Sequence, residues 1–190
     1  MRLALLLVVS AFLLAACGKE KEPAPRVFEL KAPRGERTTE FPLAGMTIVA
    51  PRNWTLRRRE APGVFELLSG DALVAGWAYP RPEPLPETAE QLEAAKDRLL
   101  EEIEQRDPDF RIRSAVTTDV GGSLAIEVRG DQVLSKRELG TRSVHIFEGE
   151  VEYVIEAIAP PDDYALVDTR VLEPLLDSLE LEGEVREEEE

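Results

Sequence analysis

Apolar residues fall along this 190-residue chain in three rhythms. Leu3 to Ala16 is an unbroken apolar run with Ser10 as its only polar member. From Phe41 to Leu181, short stretches alternate apolar and polar positions with the two-residue period of a strand. Two longer stretches in the same region repeat every third or fourth residue, as a helix does. Charge and proline dominate between the leader and this region, and glutamate dominates after it.

The alternating stretches predict most of a sheet. Met46 to Ala50 alternates and runs into a turn at Pro51-Arg52-Asn53. Trp54 and Leu56, then Val64 to Leu68, read as short strands broken at Ala61-Pro62-Gly63 and Ser69-Gly70-Asp71. Ala72 to Tyr79 sets Leu73, Ala75, Trp77 and Tyr79 on one face. The small residues Val74, Gly76 and Ala78 take the other face and let a neighbour approach, so the strand is expected to be central and covered on both sides. Ile112 to Val116 follows, then Gly121-Gly122. Leu124, Ile126 and Val128 alternate with Ala125, Glu127 and Arg129, predicting a strand with one wet face. Val144 and Ile146, a turn at Glu148-Gly149-Glu150, and Val151 to Ala159 predict a hairpin.

Two helices complete the pattern. Thr88 to Gln105 opens on a capping box of Thr88 and Gln91, with acids in its first turn and a stripe of Leu92, Ala95, Leu99 and Ile103. The last helix covers about Asp163 to Leu179, with a kink or a fresh start expected at Pro174. The predicted class is α+β: a single mostly antiparallel sheet of six to eight strands with two helices packed on it. About 140 residues suffice for a real core.

The apolar start is shorter than the roughly 20 residues that span a bilayer core. Behind a charged Arg2 and ending in small residues, it has the make-up of a secretory signal peptide. It ends at Leu14-Ala15-Ala16-Cys17, and Cys17 is the only cysteine. This resembles the lipobox of bacterial lipoproteins, which implies cleavage between Ala16 and Cys17 and a diacylglyceryl group on the Cys17 sulfur. Ordinary secretion, with cleavage near the same alanines, is the alternative. Gly18 rather than Asp follows Cys17, so the resemblance implies the outer membrane or the outer face of a plasma membrane. A lipidated Cys17 leaves no thiol for an internal disulfide.

These readings divide the chain into a signal peptide (1–16), a lipidated cysteine and flexible tether (17–40), a folded domain (41–182) and an acidic tail (183–190). As a coil the tether would hold the domain on the order of 25 Å from the anchor. Val27 to Leu30 is the one part of it with strand character. Removal of the leader takes the formal net charge from −15 to −16. A surface this acidic repels phosphate backbones and anionic lipid, which argues against nucleic-acid partners.

The order of "GMTIVAPRNW" (Gly45–Trp54), a long helix, "VEYVIEAIAP" (Val151–Pro160) and "VLEPLLDSLEL" (Val171–Leu181) resembles the PsbP-like superfamily. Lipoproteins of the DcrB and LpqN type and a eukaryotic Ran-binding nuclear-transport factor belong to it. The resemblance implies a monomeric, non-enzymatic accessory or binding domain, and it transfers no binding residue.

Chemistry is sparse. His145 is the only histidine and shares a face with Ser143 and Phe147. A nucleophilic triad needs a base held beside a hydroxyl, and no nucleophile elbow surrounds Ser123, Ser135 or Ser143. No catalytic residue is assigned. One histidine and one lipidated cysteine cannot build a zinc or redox-metal site. The Asp107-Pro108-Asp109 and Asp162-Asp163 pairs lack calcium-loop spacing, so no metal or other cofactor is expected. Arg57-Arg58-Arg59 is the one basic cluster, read as a solvated strand end or a contact for an anion. The expected function is a membrane-attached module that binds another envelope component. The rival is a carrier of a small apolar ligand in a pocket between sheet and helix lined by Trp77, Tyr79 and Leu99. A hydrolase is a weaker third reading.

Overall fold

The structure is a computed structural model that describes residues 29–186. Cys17 and Ala16 therefore lie outside the described residues. Ten strands form two antiparallel sheets. The larger contains β3 (Thr55–Arg58), β4 (Gly63–Ser69), β5 (Ala72–Pro80), β6 (Arg111–Val120), β7 (Ser123–Leu134), β8 (Arg137–Glu148) and β9 (Val151–Ala159), in the order β3-β4-β5-β9-β8-β7-β6. The smaller pairs β1 (Glu36–Phe41) and β10 (Glu180–Leu181) on either side of β2 (Met46–Pro51).

Each predicted strand is present, and the alternation assigned most faces. On β5, Val74 and Ala78 are 0% and 4% exposed and face the main core, while Trp77 and Tyr79 are only half-buried. The small inner face has a direct cause. A Cβ on Gly76 would sit 2.3 Å from Cε1 of Phe65, so glycine is needed for that ring to enter. Phe65 in turn stacks on Phe41, with ring centroids 5.6 Å apart.

Helix α1 (Ala89–Arg106) has the expected capping box: Thr88 Oγ1 accepts from Gln91 N while Gln91 Oε1 accepts from Thr88 N. It lies on the outer face of β6 and β7, where Leu92, Ile103, Ile126 and Val128 form a second buried cluster joined by Leu99. The other helical run covers the inner face. It comprises α2 (Pro161–Val167), a π-helical segment (Asp168–Leu172) and α3 (Glu173–Asp177), with Pro174 in the first turn of α3. Pro174 thus starts a new segment without ending the run, because a helix's first turn needs no N–H donor there.

Three expectations change. The tether was expected to run to residue 40, yet Glu36–Phe41 is a strand and residues 29–34 are bonded to the domain. Lys31 N donates to Ser69 Oγ at 2.9 Å and Trp54 Nε1 to Lys31 O at 2.9 Å. Arg34 N and Asn53 Oδ1 lie 2.8 Å apart, and Asn53 Nδ2 donates to Ala32 O. The side of β7 carrying Glu127 and Arg129, expected to be wet, is covered by the π-helical segment. Finally, the small sheet separates β1, β2 and β10 from the larger one, so the strands do not all join in one ladder.

Candidate functional site

Three chain segments meet beside the end of β1. A 3-10 turn (Pro42–Ala44) follows Phe41 and closes at Gly45, which holds the left-handed conformation with φ 55°. The β3–β4 connection brings Arg58 through Val64 alongside. Residues after β10 return past both, with Glu182 N donating to Gly45 O and Arg186 N to Leu43 O, each at 2.8 Å. Glycine is required at 45, since a Cβ would lie 2.6 Å from Glu184 O.

These segments enclose an open groove of about 920 Å³. Its floor is Phe41, Val64 and Ala78, all at most 5% exposed. Pro42, Leu43, Pro62 and Val185 form apolar walls, and Leu43 is 43% exposed although it is a large aliphatic side chain. Three arginines, Arg58, Arg59 and Arg186, stand at the rim beside the acidic Glu60. The Arg58 guanidinium lies 4.7 Å above the Phe41 ring and donates to Glu40 O at 2.9 Å. Arg59 is 3.5 Å from Glu66, and Arg186 is bonded to Glu182 and Glu184. Among the described ion pairs, Arg58 alone of these three has no carboxylate.

The outer sheet face holds a second concentration of ionisable groups. His145 Nδ1 lies 2.7 Å from Glu152 Oε1, and Arg81 Nε donates to Glu152 Oε2 at 2.7 Å. Burial acts to raise the Glu152 carboxyl, but hydrogen bonding and charge from His145 and Arg81 outweigh it and hold the group below its ordinary value. Glu156, two residues further along the same face of β9 from Val154, is raised instead by burial, which the charges of His145 and Arg106 oppose without reversing. The His145–Glu152 pair supplies two members of a triad. No hydroxyl is hydrogen-bonded to His145 among the described residues.

A third cluster is buried under the π-helical segment. Arg142 and Arg129 each bond both Glu127 and Asp168, at 2.6–2.7 Å for the closest contacts. Every charge has at least two partners, Arg142 also meeting Glu173 at 3.6 Å, and Asp168 is 6% exposed. This closed ring has the make-up of a structural device that seats the helical run on β7 and β8.

The residues singled out in the sequence are dispersed. Trp77 and Tyr79 lie on the outer face of β5 opposite Val154 and Glu152, and Leu99 is packed in the α1 cluster. None of the three lines a described cavity; Ala78, which lies between the first two, lines the groove on the other side. Ser123 Oγ donates to Glu148, and Asp107 caps α1. Asp162 and Asp163 occupy the first turn of α2. No group of potential metal ligands occurs among the described residues. Of the Arg57–Arg59 cluster, two members reach the groove.

No family model matches the chain, and no curated protein matches it in sequence. Solved structures do. The cyanobacterial PsbP of Synechocystis, CyanoP, superposes with a TM-score of 0.59 at 9% identity, covering 77% of this chain and 92% of its own. The domain has the PsbP-like fold. LpqN of Mycobacterium tuberculosis, described as involved in cell envelope biogenesis, follows at 0.52 and 14% identity, covering 77% of this chain and 90% of its own. A Bacteroides thetaiotaomicron protein reaches 0.51 at 13% identity over 84% of this chain and 51% of its own. At such identities the PsbP-like domain shares a backbone with these proteins, and its groove has to be understood from its own residues. Among the described residues no helix is long and apolar enough to cross a membrane.

Proposed function

We propose that this protein is a lipid-anchored cell-envelope protein whose PsbP-like domain is a monomeric, non-enzymatic module that binds another envelope component through the arginine-rimmed groove. The groove is the observation that carries this reading. A volume near 920 Å³, an apolar lining and a few charged groups at the edge are the features of a ligand site, and an exposed Leu43 beside them is surface available for contact. The lipobox-like Leu14-Ala15-Ala16-Cys17 supports attachment, and the envelope association of LpqN supports the location. The His145–Glu152 pair, with no hydroxyl bonded to His145 among the described residues, gives hydrolysis no support. Attachment to a membrane raises effective concentration, so a weak contact at the groove is enough for function.

Two experiments test the two halves of the reading. Cys17→Ala should abolish incorporation of labelled palmitate and move the protein out of the membrane fraction; unchanged labelling would overturn the anchor. A photo-reactive residue at Leu43 should capture a cell-envelope component in living cells, whereas the same residue at Val133, an exposed position on β7, should not. Equal capture at both positions would remove the groove as the binding surface.

A further inference from the structure

We propose that the groove binds a free long-chain fatty acid, with the tail along Phe41, Leu43, Pro62, Val64 and Ala78 and the carboxylate at Arg58. This rests on the reading of the groove as the binding surface and names its ligand.

The walls themselves select the ligand. A peptide laid in an apolar groove needs partners for its own N–H and C=O groups. Here the wall carbonyls are already bonded within the fold. Pro42 O accepts from Gly45 N, Leu43 O from Arg186 N, Pro62 O from Ala78 N and Val64 O from Arg59 N. Pro42 and Pro62 have no N–H to offer. An alkyl chain needs no such partners and gains from every contact with the floor.

The rim selects the charge. The protein carries a formal net charge of −15, so an anion approaches it against a general repulsion. Three arginines and the acidic Glu60 line the groove mouth. Among the described residues Arg59 and Arg186 are matched by carboxylates, and Arg58 is not. A guanidinium presents five donors in a fixed fork that suits a carboxylate. Its place above the Phe41 ring holds that fork at the boundary between water and the apolar floor, where the head of a fatty acid has to sit.

The test uses the full-length chain carrying Cys17→Ala, so that no covalent lipid competes, and the fluorescent fatty acid cis-parinarate as probe. Saturable binding is expected, with competition by palmitate. Arg58→Glu and Leu43→Asp, both at exposed positions, should each weaken binding at least tenfold, while Trp77→Ala on the opposite sheet face should leave it unchanged. Absence of saturable binding overturns the proposal, as does binding indifferent to both groove variants. Displacement by lysophosphatidylglycerol but not by palmitate assigns the groove to a phospholipid and equally overturns it. A polypeptide captured at Leu43 together with no parinarate binding would leave the groove a binding surface and defeat only the fatty acid, so the two readings fail separately.

Discussion

The two faces of the seven-stranded sheet handle charge in opposite ways. On the inner face Glu127, Arg129, Arg142 and Asp168 form a closed ring in which each charge meets at least two of the opposite sign. On the outer face Arg81, His145 and Glu152 form an open chain, and Glu156 stands beside it with no counter-charge close enough to reverse the effect of burial. The difference follows from cover. A helical run packs over the inner group and leaves Asp168 and Arg142 at most 8% exposed, so an unmatched charge at either is costly. Helix α1 covers only the β6–β7 half of the outer face, and beside it the unpaired Glu156 answers its burial with a raised carboxyl rather than with a partner.

That contrast gives a graded set of expectations. Asp168→Ala should have the largest effect, a loss of about 3–5 kcal/mol in urea unfolding, because two guanidiniums lose a buried partner at once. A loss below about 1 kcal/mol would mean that water reaches the ring. Gly76→Ala should come next, costing about 1–3 kcal/mol by driving a methyl group into the Phe65 ring. Trp77→Ala removes a larger side chain from the same strand but on the half-open face, so its cost should fall below the roughly 3–5 kcal/mol of a fully buried ring.

The smallest effects are the pH-dependent ones. Glu152 is held below 4.5, so its ionised form stabilises the folded state. That contribution is complete above about pH 4.5 and is lost as pH falls through the lower folded-state value. Glu156 is raised, so its ionisation works against folding as pH climbs past 4.5. Glu152→Gln should therefore lower the melting temperature at pH 7 and Glu156→Gln should raise it slightly, with both differences shrinking by pH 4. Equal and same-signed shifts would show that the two carboxylates share one environment.

Local signals in the sequence were readable and distant ones were not. The capping box of α1 is written in Thr88 and Gln91, four residues that need nothing from the rest of the fold. The Gly121-Gly122 turn is likewise legible, because both residues take positive φ. The β7–β8 turn takes the same left-handed conformation at Ser135 and Lys136 without any glycine, so the full length of that hairpin is hidden. Strand β1 reads "ERTTEF" and buries only its last residue, so pairing with β2 identifies it where periodicity cannot. Alternation likewise assigns a residue to a face but not to a sheet. The groove has no motif because its lining comes from residues 41–44, 58–64, 78 and 185–186. The ring around Asp168 is invisible for a similar reason: Arg142 is 15 residues from Glu127, and Asp168 is 39 from Arg129.

The segment bonded between Ser69 and Asn53 also sets a radius of action. With Cys17 as the proposed attachment point, only Gly18 to Phe28 separate it from the first described residue, a leash of at most about 40 Å at full stretch. The leash leaves beside the β4–β5 turn, whereas the groove opens by the β3–β4 connection at the other end of β4, about 20 Å away. The groove mouth therefore stands at the far end of the domain from the leash's exit, at most about 60 Å from Cys17.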